Sequence, residues 1–220
     1  LSCFPSAHFF SEIDPDAMAV VTKRFPEATN LGSVSDITES TLLSLSLKFP
    51  LAQWMVTGGP PCTDVSLLKS NRAGAGGPQS NKRCEFKRIF DILSKHNPGR
   101  VHGLMECTPM TEQDKQAYDN VFGAQFAAYE LCASWWTPVT RKRWWWMSFV
   151  PTFPPDVLQT KLPNGMIRLS FRPEDCPVRL PLSDILQPGW WPLLLQRMTE
   201  SSESSFDFNC FTRHIPVKGP

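Results

Sequence analysis

The chain has 220 residues, 41% of them apolar and 20% charged, with a formal net charge of +1. That length suits one α/β domain, or one domain with part of a second, and can bury a core without metals or disulfides. The composition excludes disorder throughout, and no apolar run reaches the about 18 residues expected of a membrane span. The opening LSCFPSAHFF lacks the basic region and long apolar stretch of a secretory signal. Seven cysteines (3, 62, 84, 107, 132, 176 and 210) are scattered without a CxxC pair, so the spacing predicts neither a zinc site nor a disulfide framework. A reducing compartment is the natural setting.

Taken in chain order, an apolar run at residues 7–11 ends at Glu12 and leads into a helical stretch, PDAMAVVTKRF, over 15–25. A second helical pattern covers 37–47. The apolar run 51–57 breaks at Gly58-Gly59 and enters Pro60-Pro61-Cys62. From Ser66 to Arg100 there are eight Lys or Arg against two acids, interleaved at first with Gly, Ser and Asn. This stretch reads either as a solvated surface or as a phosphate-facing one. A third helix is predicted over 84–94, with apolar residues at 86, 89, 90 and 93. The run 101–105 then ends at Glu106.

Strands alternating with helices predict a parallel sheet with crossover helices. In such sheets the ligand crevice lies beyond the carboxyl ends of the strands, which would gather Glu12, Cys62 and Glu106. After about Pro151 prolines become frequent, periodicity fades, and the Ser-rich acidic ESSESSFD follows at 200–207. The organisation expected is a domain over 1–150 and a loop-rich segment over 151–220.

GGPPCTDVS, residues 58–66, is the strongest chemical signal. Two glycines permit a sharp exit from a strand, and two prolines stiffen the loop that aims Cys62. A stiff polar loop is a poor home for a structural cysteine and a good one for a nucleophilic thiolate. On physical grounds alone, a lone cysteine is still more often a packing residue.

GGPPC with Ser66 four residues beyond the cysteine resembles the catalytic loop of DNA (cytosine-5) methyltransferases. The continuation PCTDVSLLKSNRAG, with Arg72 and Gly74, is closest to the animal de novo type. LMECTP (104–109) resembles the strand-end Glu motif of that family, with Cys107 where the family has Asn. TRKRWWWMSF (140–149) resembles its Arg-x-Arg-aromatic segment, although RKR before three tryptophans also reads as a basic turn entering a core strand. SEIDPDA (11–17) resembles the second cofactor motif. NLGSVSDIT (30–38) resembles the third, with Ser33 in place of an acid. FNCFTRHIPVKGP (208–220) resembles the opening of the target-recognition region, and equally a plain loop.

The resemblance implies a Rossmann-like S-adenosylmethionine-dependent methyltransferase fold, incomplete at both ends and followed by an irregular segment. The first glycine-rich cofactor motif is expected before Ser11 and the last motifs beyond Pro220. Residues 1–150 would be a partial catalytic domain, and 151–220 the start of the target-recognition region. Cys62 would be the nucleophile, Glu106 the acid at the cytosine ring nitrogen, and Arg143 the partner of its carbonyl, with Arg141 in support. Glu12, Ile13, Val34 and Pro60 would line the S-adenosylmethionine site, with Ser33 weakening one adenine contact. Ser66, Arg72, Thr212 and Arg213 would meet DNA. No metal and no membrane are implied. DNA and homologous methyltransferase subunits would be partners, in the nucleus. A catalytically impaired DNA-binding relative, an RNA cytosine-5 methyltransferase and a poorly folding gene remnant are the alternatives.

Overall fold

The computed structural model describes residues 5–135, 140–153, 155 and 157–171. It is a mixed α/β fold of two compact units, one within Leu1–Ala127 and Trp146–Val150, the other within Ala128–Trp145 and Pro151–Pro220.

The first unit is built from two β-α-β crossovers, the repeating element of a Rossmann-like sheet. Strand β1 (Phe9–Phe10) and β2 (Thr29–Asn30) pair in parallel across helix α1 (Pro15–Arg24). Asp14 starts α1 by accepting from the N–H groups of Asp16 and Ala17, with Pro15 inside the first turn and Lys23 and Arg24 in the last. Helix α2 (Glu39–Lys48) begins at Thr38, whose hydroxyl caps Thr41 N–H. Strand β3 (Trp54–Gly58) and β4 (Val101–Cys107) pair in parallel across helix α3 (Lys82–His96).

Each of these helices lies where the periodicity predicts it, within two residues at either end. Helix α4 (Glu112–Phe122) is not announced in the same way, because it buries Asp114 and Lys115 alongside Tyr118 and Phe122. Charged positions on the inward face erase the apolar stripe.

Two packed groups hold this unit. Ile37, Leu42 and Leu93 meet beneath Trp54, Val56 and Val101. Deeper along α3, Phe86 and Phe90 join Phe122 and Phe126, with the Phe90 and Phe126 ring centres 4.9 Å apart. Asn97 ends α3 and is itself buried, its amide donating to Ser46 Oγ at 2.8 Å and to Leu93 O at 3.0 Å, which ties α2 to α3. Beside β4, Ser148 N donates to Gly103 O at 3.0 Å, and Gly103 N donates to Ser148 Oγ at 2.7 Å.

In the second unit β5 (Ala127–Cys132) pairs in parallel with β8 (Ile167–Phe171), which pairs antiparallel with β7 (Val157–Lys161). The β7–β8 hairpin turns through Pro163-Asn164-Gly165, with Gly165 at φ 81°. Proline frequency alone does not reveal a hairpin; this turn chemistry does. Strand β6 (Lys142–Met147) contributes Trp144, whose indole donates to the buried Glu130 at 3.0 Å, and Arg168 donates to the same carboxylate at 2.6 Å. Burial pushes the Glu130 carboxyl up, but these donors outweigh it and hold the group below the ordinary carboxylate value.

Gly103 has no room for a side chain, since a Cβ there would lie 2.7 Å from the Phe126 ring and 3.0 Å from Phe90. Gly103→Ala should therefore cost about 1–3 kcal/mol through overpacking. Gly76→Ala meets nothing within 4 Å and should stay within about 1 kcal/mol of wild type. Urea denaturation of both variants checks the contrast.

Candidate functional site

The carboxyl ends of β3 and β4 carry the two strongest sequence signals. Gly58 ends β3 where a Cβ would meet the Phe86 ring at 2.7 Å, so the strand leaves the sheet against bare backbone. At the next residue, a Cβ on Gly59 would lie 3.5 Å from Glu106 Oε2. The space a side chain would take at Gly59 therefore opens onto the carboxylate near the end of β4. Cys62 and Glu106 are both half-buried, and both lie close enough to the Cys107 thiol to act on its charge.

Past Cys62 the chain folds into a tight turn. Cys62 O accepts from Val65 N at 3.1 Å and from Ser66 N at 2.9 Å, and Val65 is fully buried. Asp64 organises the rest: its buried carboxylate accepts from Gln79 N at 2.8 Å and Ser80 N at 3.0 Å, while its carbonyl accepts from Gly74 N at 2.8 Å. Both ends of the 64–80 segment therefore converge on one residue. Between them Leu67, Leu68, Lys69 and Asn71 are exposed, and Arg72 is half-buried. Ser66 is buried, with its hydroxyl accepting from Leu68 N at 3.4 Å, so the structure gives it a place inside the turn.

Cys107, which stands beside Glu106, points inward. Its thiol donates to the Tyr118 phenol oxygen at 3.7 Å. Burial pushes this thiol up to about 11, with the nearby Cys62 and Glu106 acting in the same direction and the Tyr118 contact opposing them. Burial likewise raises the Tyr118 phenol.

Glu12 sits at the carboxyl end of β1. Its Oε1 accepts from Ile13 N at 2.8 Å and Asp14 N at 2.9 Å, which fixes the carboxylate over the turn into α1. Asn30, which sequence reasoning passed over, donates to Glu12 O at 3.1 Å and accepts from Gly32 N at 2.9 Å, lashing the ends of β1 and β2 together. Ser33 caps the short turn Val34–Asp36. Val34 is half-buried, its carbonyl held by Arg88 at 3.1 Å, whereas Ile13 is exposed and Pro60 half-buried.

A prearranged carboxylate at one strand end and an aliphatic side chain at the start of the following turn fit the ribose and adenine of an adenosine cofactor. Ser33 carries no charge, and its hydroxyl caps the following turn. Arg141 and Arg143 belong to the second unit, where Arg143 Nη1 donates to Lys142 O at 2.7 Å and alternation along β6 puts Arg143 on the face opposite Trp144. Thr212 and Arg213 lie outside the described residues.

Three further residues belong to the site and escaped the sequence reading: Asp64, Arg83 and Asp114. Only Asp114 left a signal, the Thr111-x-x-Asp114 spacing of a helix start. Among the described residues no cluster of His, Cys, Asp or Glu could hold a metal ion.

No protein-family model matches the chain. No curated protein matches it either. Among solved structures it is similar to the S. pombe Dnmt2 methyltransferase, with a TM-score of 0.39 and 12% identity, over 66% of this chain and 42% of that one. The chain therefore spans less than half the length of that protein, and its chemistry has to be read from its own residues.

The thiols give a direct test of this geometry. At about pH 8 iodoacetamide should modify Cys62 and Cys84 well before Cys107 in the native protein, as read by peptide mass spectrometry. Cys107 should begin to react only as pH climbs toward about 11, because burial favours its neutral form. Early labelling of Cys107 would contradict the inward orientation of its side chain.

Proposed function

We propose that the protein is a cytosine-5 methyltransferase acting on DNA, with Cys62 as its nucleophile. The observation that carries this reading is the Gly58-Gly59-Pro60-Pro61-Cys62 exit from β3 beside Glu106 on the adjacent parallel strand, where a Cβ at Gly59 would lie 3.5 Å from the Glu106 carboxylate. On this reading the Cys62 sulfur supplies the electron pair and the Glu106 carboxyl serves the base from the neighbouring strand.

Cytosine C5 is a weak nucleophile. Addition of the Cys62 thiolate to C6 moves electron density onto C5, and Glu106 assists by keeping a proton on the ring nitrogen that becomes electron-rich. S-adenosylmethionine, when bound, supplies the methyl group, and Glu12, Ile13, Val34 and Pro60 would hold it. Loss of the C5 proton then restores the ring and expels the Cys62 thiolate. Arg143, with Arg141, would steady the base carbonyl. A base in a duplex must first leave the stack, at about a few kcal/mol. The basic residues from Lys69 to Arg88 would hold the backbone meanwhile.

RNA is the runner-up substrate for the same chemistry. The loop wording PCTDVS favours DNA. A second reading, a relative that binds nucleic acid without turnover, draws on Ser33, which caps a turn where the family has an acid.

Methyl transfer from labelled S-adenosylmethionine to DNA and to RNA of matched sequence tests the proposal. DNA should be methylated, Cys62→Ser should abolish the signal, and Glu106→Gln should lower the rate by about 10²–10⁴. Methylation that survives in Cys62→Ser would remove the mechanism. Preference for RNA would change the substrate.

A further inference from the structure

The peptide groups of Ala75 are gripped from both sides. Its N–H donates to Asp114 Oδ1 at 2.7 Å, and its carbonyl accepts from Arg83 Nη1 at 2.5 Å. Asp114 stands at the start of α4, just past the connection that follows Glu106. Arg83 stands at the start of α3, at the close of the loop that follows Cys62. Both side chains are buried, at 8% and 6% exposure, in a molecule where charged groups seldom are.

The two grips are also joined to each other. The Arg83 guanidinium lies 4.7 Å from the Tyr118 ring centre, and Tyr118 receives the thiol of Cys107, the neighbour of Glu106. The other Asp114 oxygen accepts from Thr111 Oγ1 at 2.6 Å. In an ordinary capping box the acid reaches back to its own helix start. Here one oxygen stays with the cap hydroxyl and the other reaches across 39 residues to Ala75. Gly74 makes the approach possible, since a Cβ there would lie 2.9 Å from Asp114 Oδ1 and its φ is 71°.

We propose that Asp114, seconded by Arg83, is a positioning residue that locks the Cys62 loop onto the β4–α4 connection, so that nucleophile and acid keep one spacing. It rests on the proposed function only in naming Cys62 and Glu106 as the pair being spaced. A bland alternative is that Asp114 merely caps α4. The two differ in what Thr111 does: its hydroxyl caps Asp114 N–H at 3.2 Å and does not touch Ala75. Loss of the cap alone should leave the loop in place, whereas loss of the Asp114 carboxylate should release it.

The test compares Asp114→Ala, Asp114→Asn and Thr111→Ala in the full chain, by amide hydrogen exchange and by iodoacetamide labelling of Cys62, with Cys84 as internal reference. In wild type the Ala75 amide should be protected like those of β4, although it lies in an irregular loop. Asp114→Ala should speed both its exchange and Cys62 labelling by about tenfold or more, with Cys84 unchanged. Asp114→Asn keeps an oxygen for the Ala75 N–H and should restore both. Thr111→Ala removes the cap and one donor to the carboxylate but leaves the Ala75 bond, and should change both far less than Asp114→Ala.

A folded Asp114→Ala with unaltered Cys62 labelling would overturn the proposal, as would an equal effect from Thr111→Ala. Should Asp114→Ala fail to fold, wild type decides: an Ala75 amide exchanging as fast as that of exposed Asn71 overturns it. Neither readout uses a substrate. Absence of methyl transfer by wild type would therefore sink the proposed reaction and leave the positioning role standing.

Discussion

Buried carboxylates that accept backbone N–H groups are the constraint on which the site depends. Residues 59–81 form no regular structure before the start of α3, and a loop of that length is ordinarily free to wander. Asp64 and Asp114 prevent it by binding the amides of Gln79, Ser80 and Ala75. Charge-assisted bonds of this kind are short and strong, and those to the buried Ala75 and Ser80 satisfy amides that burial would otherwise leave without a partner. The loop is thereby turned into a rigid extension of the sheet edge. Only then does a cysteine on it have a fixed relation to a carboxylate on the next strand.

The buried thiol is held differently. Cys107 occupies the last inward position of β4 and is covered by Tyr118, which in turn supports Arg83. An inward cysteine there is inert, its ionisation suppressed by burial. Cys62, half-buried on the loop, stays reachable. Both Cys62 and Glu106 act on the Cys107 thiol, yet the two cysteines have opposite chemical prospects, decided by burial.

Much of the scaffold was legible in the sequence because apolar periodicity and glycine breaks are local signals. Helices α1, α2 and α3 and strands β3 and β4 lie where those patterns put them; Glu106 stands near the end of β4 and Cys62 follows β3 in that sheet, whereas Glu12 follows β1 of a separate two-stranded sheet. Helix α4 was not legible, since its inward face carries Asp114 and Lys115. Asp114 serves a contact 39 residues away in sequence, which no local pattern records, while Lys115 pairs with Asp119 one turn further along the helix. The same holds for Arg83, whose burial follows from the carbonyls of Ala75 and Ser80 that wrap it. Residues that hold a site together are read from the fold; those that do its chemistry can be read from their neighbours in the chain.

Covalent trapping tests the central claim most directly. The chain would be incubated with DNA containing 5-fluorocytosine and S-adenosylmethionine, then digested and analysed by mass spectrometry. Fluorine at C5 cannot depart as the proton does, so the reaction should stall with the base still joined to the enzyme. One modified peptide is expected, bearing a methylated fluorocytosine adduct on Cys62 and missing from Cys62→Ser. An adduct on any other residue, or none from protein shown to be folded and bound to that DNA, would contradict it.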